Sequence, residues 1–295
     1  MSKQRITEVL KTGRILISDG AWGTFLHQKG LQPGECPDEW SLTHPADVES
    51  IAAGYIAAGA DMIETNSFGA NRYKLEHYGL QDKVTAINEA AAGISRRAAG
   101  DAHYVIASVG PTGKMLLMGD VTEDELYDCF KEQITALERG GADAVCIETM
   151  SDADEARIAI RAAKENTGLE VIATFTFDKI GEGEYRTMMG LTPAETAAVA
   201  LEAGADIIGA NCGNGMERMT DIVGEIHANF PDAFILVHAN AGLPELIDNK
   251  SVFPETPEIT ASFVKQLISA GANIIGGCCG TTPAHITAIK MAAEK

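Results

Sequence analysis

The chain has 295 residues, 45% apolar and 22% charged, which is ordinary globular composition with material for a large core. Lys+Arg number 23 against Asp+Glu 42, a net charge of −19 that excludes nucleic-acid binding and disfavours an anionic membrane surface. No run reaches the roughly 18 apolar residues of a bilayer span, and the start MSKQRITEVLKTGR lacks the apolar core of an export signal. Six cysteines are too few for a disulfide scaffold, so the expectation is a cytoplasmic protein whose cysteines are free thiols or metal ligands.

In chain order, buried apolar strands are predicted near 14–19, 61–68, 103–110, 143–150, 170–177, 206–212, 233–240 and 273–278. Amphipathic helical stretches lie between them, among them 45–59, 122–140, 152–166, 192–204 and 256–271. Thr122, Ser151 and Thr192-Pro193 stand where helix N-caps are needed. The segment 178–184 reads as a solvated loop. One phrase recurs: AAGADMIET at 57–65, RGGADAVCIET at 139–149, EAGADIIGANC at 202–212 and SAGANIIGGCC at 269–279. Each reads as a helix end, a glycine cap in the left-handed region that a Cβ penalises, a short turn and a strand. Eight strands alternating with helices predict a single-domain (β/α)8 TIM barrel over 1–295. The alternative, a doubly wound open sheet, lacks a GxGxxG after its first strand.

A barrel places its reactive groups at the C-terminal ends of its strands. Cys212 in GANCGNG ends the sixth predicted strand, and Cys278 and Cys279 in GGCCGTT end the eighth. Neighbouring strand residues point to opposite faces, so both members of a Cys-Cys pair face one ion only where the backbone leaves β geometry. Gly276, Gly277 and Gly280 permit that. Three thiolates without a fourth Cys or His suggest a zinc site with one open position; a vicinal disulfide or plain buried thiols are the alternatives. Cys36, Cys129 and Cys146 lack this context and read as core.

Other strand ends are polar: Asp19-Gly20-Ala21-Trp22-Gly23-Thr24, Glu64-Thr65-Asn66-Ser67-Phe68, Glu148-Thr149 and His238-Ala239-Asn240-Ala241-Gly242. Backbone amides at Gly20 and Ala21 suit a carboxylate, and Asp19 and Glu148 suit an ammonium. With a thiophilic metal, these describe an amino acid bearing a thiol. His238 and His285 are further ligand candidates, although His285, following Pro283, reads as a helical structural residue. Trp22 either packs against a second substrate or belongs to the core.

The motifs DGAWGT, ETNSFGANRYKL, GPTGKM, ANCG, NAGLP and GGCCGTTPAHI, together spanning about Arg14 to Ile289, resemble the homocysteine S-methyltransferases. The likeness is strongest to the homocysteine-binding module that opens cobalamin-dependent methionine synthase. The resemblance implies that Cys212, Cys278 and Cys279 hold Zn²⁺, and that homocysteine is methylated to methionine as a zinc thiolate. It implies Asp19 and Glu148 at the amino group and the amides of Gly20 and Ala21 at the carboxylate. It also implies Asn240 beside the metal, able to fill the fourth position. Methionine synthase modules usually carry Pro where this chain has Ala239, and betaine-using relatives carry an aromatic residue where Gly69 follows Phe68.

A corrinoid-binding Asp-x-His-x-x-Gly is absent, since Asp101-Ala102-His103 is followed by Ile106 where Gly is needed. The expectation is that the chain carries no cobalamin of its own and takes methyl groups from a separate methylcorrinoid protein. The alternatives are a small donor such as S-methylmethionine or a betaine-like compound, another thiol acceptor, or a non-catalytic zinc- or thiol-binding subunit. A lyase reading lacks a Schiff-base lysine at a strand end, because Lys114 and Lys179 both fall in predicted loops.

Overall fold

The computed structural model describes residues 3–247 and 250–294. Its barrel strands and two hairpins are, in chain order, β1 (Leu16–Ile17), β2 (Met62–Glu64), β3 (Tyr104–Val109), β4 (Ala144–Met150), β5 (Glu170–Phe175), β6 (Asp178–Gly181), β7 (Glu184–Arg186), β8 (Ile207–Asn211), β9 (Ile235–Ala239), β10 (Glu245–Ile247), β11 (Lys250–Val252) and β12 (Ile274–Gly277). Eight of these pair in the order β1-β12-β9-β8-β5-β4-β3-β2, every neighbouring pair parallel. Helices fill the crossovers, and the result is the predicted (β/α)8 barrel. Among the described residues, no helix is long and apolar enough to cross a membrane.

The recurring phrase explains how the ring is held. Gly59, Gly141, Gly204 and Gly271 adopt φ of +100°, +104°, +100° and +119°, the left-handed cap predicted for each. Two residues later Asp61, Asp143, Asp206 and Asn273 each accept, at 2.8–2.9 Å, the amide of a residue in the preceding barrel strand: Ile17, Val105, Val171 and Ile235. Each also donates its own amide back into that strand. At the β1–β2 seam, Asp61 supplies both bonds where the strand ladder itself is missing.

Inside the ring the pleat sorts residues by period two. Leu16, Met62, Ile106, Cys146, Ile172, Leu236 and Ile274 form an apolar lower layer, plugged by Ile6 and Leu10 of the N-terminal helix Ile6–Leu10. Glu170 on β5 seats that helix by accepting the amides of Ile6 and Thr7 at 2.6 and 3.0 Å. Two residues further along each strand, the same face presents Ser18, Glu64, Ser108, Glu148, Thr174 and His238, all buried. Gly276 takes this position on β12, where a Cβ would stand 2.7 Å from Ser18 Cβ and 2.8 Å from the Asp19 carbonyl.

Local differences from expectation have plain causes. The helix predicted from 152 is capped by Asp152, which accepts the Asp154 amide, rather than by Ser151. Thr122 and Thr192 cap as expected. The helix expected over 256–271 is broken at Phe263 into Pro257–Ser262 and Val264–Ala270. The segment 178–184 is not a plain loop: β6 and β7 form an antiparallel hairpin that carries Lys179, with Gly183 at φ +69° in its turn.

Candidate active site

A cavity of about 540 Å³ opens at the C-terminal end of the ring. Cys212, Cys278, Cys279, Glu64, Glu148, His238, Gly20, Ala21 and Trp22 line its floor and walls.

The sulfur end is built by β9 and its two neighbours. The amide of Cys212, after β8, donates to the His238 carbonyl, and that of Cys278, after β12, donates to the Ala239 carbonyl. Both segments are thus hung on β9. Cys212 sits at φ +58°, a conformation worth about 1–3 kcal/mol of strain in a residue with a side chain. That twist turns its thiol toward the other two, with Cys212 Sγ 3.9 Å from Cys279 Sγ. All three sulfurs lie within 4.8 Å of one another, and none is in a disulfide. The vicinal-disulfide alternative is therefore not what the structure contains. Gly277 makes the turn possible, since a Cβ there would lie 2.2 Å from Thr281 Oγ1.

The trio takes one negative charge easily. Hydrogen bonds from Cys278 and Cys279 pull the Cys212 thiol down to about 3, while the same sharing and burial push Cys278 well up and Cys279 to about 11. Asn240 also faces Cys212 and lowers it, and its own Oδ1 is buried without a partner among the described residues. Soft donors whose second and third charges need compensation, beside an unpartnered amide oxygen, fit a thiophilic divalent cation.

The carboxylate end differs from expectation in two respects, at Asp19 and at the Ala21 amide. Asp19 is buried behind the cavity wall, where its Oδ2 accepts Trp22 Nε1 and the Glu64 amide, both at 2.8 Å. The groups on the wall are Glu64 and Glu148. Glu148 accepts the Ser108 hydroxyl and, at 3.2 Å, Asn211 Nδ2. Asn211 in turn accepts the Thr149 amide at 2.7 Å and the Thr174 hydroxyl at 2.8 Å, holding Thr149 at φ +58°. Glu64 Oε1 lies 3.4 Å from His238 Nδ1, and His238 Nε2 has no partner among the described residues.

One ligating atom from each of Glu64, Glu148 and His238 falls within 4.8 Å of the others, so this second cluster is also able to hold a cation. Burial pushes Glu64 to about 8, and burial together with repulsion from Glu64 pushes Asp19 to about 7 and Glu148 well above the carboxylate range. His238 is lowered by burial, against the pull of Asp19 and Glu148. A group of carboxylates this reluctant to ionise is short of positive charge.

The amide of Ala21 is not free for a substrate carboxylate: it donates to Thr281 Oγ1 at 3.1 Å. The amides of Gly20 and Trp22 make no hydrogen bond among the described residues. Gly20 is as tightly enclosed as the turn demands, with a Cβ placed 2.6 Å from Thr281 Oγ1 and 3.0 Å from the Tyr55 ring. Trp22 belongs to the core cluster, lines the cavity with part of its surface and donates its Nε1–H to Asp19.

His285 lies apart from the site, bonded to Thr282 and to the Glu255 carbonyl. Cys129 and Cys146 are fully buried core thiols, and Cys36 is buried beside Asp38. Ser108 and Asn211, which sequence reasoning did not single out, lie on the same strand faces as the buried Ile106 and Ile207, two and four residues further along.

Comparison with known proteins agrees with this arrangement. The methionine synthases of Mycobacterium tuberculosis and Mycobacterium leprae are each 32% identical to the chain over 95% and 98% of its length. The chain spans only about a quarter of those relatives, 24% and 25%. The homocysteine methyltransferase MmuM from Escherichia coli, in its metallated form, superposes with a TM-score of 0.78 at 23% identity, covering 96% of this chain and 98% of that one. That likeness speaks to the barrel. Residues 16–293, nearly the whole ring and both halves of the site, match the homocysteine S-methyltransferase family, and the chain belongs to it.

Proposed function

We propose that the chain methylates the thiol of homocysteine to give methionine, with zinc held by Cys212, Cys278 and Cys279. The observation that carries this reading is one cavity with a sulfur-ligand trio and an under-compensated carboxylate pair on its walls. An amino acid with a thiol side chain answers both ends at once.

The residues act by positioning. Glu148, oriented by Ser108 and Asn211, and Glu64 beside it receive the ammonium. Asp19 holds Trp22 and the Glu64 backbone in place from behind. The amides of Gly20 and Trp22 face the carboxylate. So held, the side chain can point only toward the cysteine end. Zinc there supplies the Lewis acidity that makes a bound thiol a thiolate at neutral pH. The thiol proton leaves to solvent, the sulfur–methyl bond forms as the donor–methyl bond breaks, and the bonding pair departs with the donor. Fixed orientation of this kind contributes by removing entropy from the encounter.

For the donor we propose a separate methylcorrinoid protein. Exposed apolar side chains on loops that follow the barrel strands support it: Leu117, Met118, Met188 and Leu246 are 70–79% exposed, as on a transient docking face. A small sulfonium donor is the second reading, favoured by Trp22 and Phe68 on the cavity wall. The deciding experiment is zinc X-ray absorption with and without homocysteine. A first shell of three sulfurs and one light atom that becomes four sulfurs supports the proposal; a shell that ignores homocysteine, or no zinc, overturns it.

A further inference from the structure

The cavity is larger than its floor requires. About 540 Å³ is the size of a site for a drug-sized ligand, and homocysteine occupies only the deep end among the cysteines and Glu148. The outer part is walled by Trp22, Pro37, Asp38, Phe68 and Tyr78 and contains one basic side chain, Lys74. In a chain of net charge −19 most basic groups near acids are paired, yet Lys74 Nζ makes no hydrogen bond or ion pair among the described residues.

Its position is set by its surroundings. Lys74 lies in the helix Arg72–Glu76, which is capped by Asn71 Oδ1 accepting the Lys74 amide at 3.0 Å. Its side chain runs over the turn at Gly113, where φ is +79° and a Cβ would stand 3.1 Å from Nζ. Glu155, whose carboxyl feels the Lys74 charge, accepts its hydrogen bonds from the amide and hydroxyl of Thr112 at 2.7 and 2.5 Å. Asp38, the acid on the chamber wall, is itself held by the Gly69 amide at 3.0 Å, so a half-buried ammonium with no hydrogen bond of its own is left able to take a counter-charge from outside the chain.

We propose that Lys74 is a specificity residue of the donor compartment, receiving an anionic group carried by the methyl donor. The group is a carboxylate if the donor is a small sulfonium and a phosphodiester if it is a corrinoid. The proposal rests on the deep end being the homocysteine site, because only then is the outer chamber left for the donor.

The test is equilibrium binding to the zinc-loaded, homocysteine-saturated protein of two pairs of probes. Each pair differs in the anion: dimethylsulfonioacetate against trimethylsulfonium, and methylcobalamin against methylcobinamide. In the native protein one anion-bearing probe should bind more tightly than its partner, and which pair does so identifies the source. Lys74→Met should remove that advantage, a loss of about tenfold or more for a charge-assisted contact, and Lys74→Arg should keep most of it. Partner probes without the anion should bind both variants as they bind the native protein. Equal binding within both pairs, or an advantage that survives Lys74→Met, overturns the proposal. Homocysteine titrated alone should bind Lys74→Met as it binds the native protein; its failure to bind either would instead overturn the reading of the deep end.

Discussion

Glu64→Gln should make the protein more stable and a poorer binder of homocysteine. Burial moves the Glu64 carboxyl from its ordinary 4.5 to about 8. Between those values the folded protein holds a proton that the unfolded chain has released, so stability falls as pH rises through this window. At pH 7 the ionisation favours the unfolded chain by about 2.5 units at 1.36 kcal/mol each, or about 3 kcal/mol. The amide has no such preference. Urea unfolding of the metal-free proteins, followed by tryptophan fluorescence, should show the variant about 3 kcal/mol more stable at pH 7, with the difference gone at pH 4.5. Calorimetric titration at pH 8 should show weaker homocysteine binding, because a negative partner for the ammonium is lost. A variant equally or less stable at pH 8, or one that binds homocysteine undiminished, would refute both the burial argument and the ammonium assignment.

Other perturbations probe the remaining parts. Cys278→Ser should lose stoichiometric zinc by elemental analysis and abolish methyl transfer, since only two of the three thiols remain. Asp61→Ala removes a bond that closes the β1–β2 seam and should lower stability by about 1–3 kcal/mol. Its signature would be faster hydrogen exchange in Leu16–Ile17 and Met62–Glu64 than in β4 and β5. Gly277→Ala would drive Thr281 from its bonds to the Ala21 amide and the Cys278 carbonyl. Zinc affinity should drop while the circular dichroism spectrum persists, and adding Thr281→Ala should recover part of the loss.

The ring was legible because its instructions are local. Left-handed glycines at helix ends, apolar runs of strand length and cap residues are properties of short windows, and Gly59, Gly141, Gly204 and Gly271 all adopt the conformation expected of them. The cysteine trio was legible for a similar reason, since a GANC and a GGCC at strand ends meet in any barrel of this order. What stayed hidden depends on three dimensions. Thr281 capturing the Ala21 amide joins residues 260 positions apart, and nothing near either announces it. Asp19 reads as a ligand by its place at a strand end, and nothing near it in the sequence announces that its Oδ2 is taken by Trp22 and the Glu64 amide. The left-handed twists at Thr149 and Cys212 are imposed by Asn211 and by the β9 carbonyl, against local preference. The clamp by Asp61, Asp143, Asp206 and Asn273 was visible as a repeated letter, though its role emerges only when neighbouring strands are laid side by side.

The polar layer above the apolar plug draws its members from separate strands: Glu64 from β2, Ser108 from β3, Glu148 from β4, Thr174 from β5 and His238 from β9. No stretch of chain owns enough of the layer to bind anything alone, so an occupant acts as a hoop on a barrel of staves. Loosening any one stave releases the occupant, and the occupant's affinity is therefore spread over the whole circumference as resistance to opening. Saturating ligand should slow exchange in β4 and in β12, on opposite sides of the ring, by the same factor, as it would in a body that can come apart only all at once.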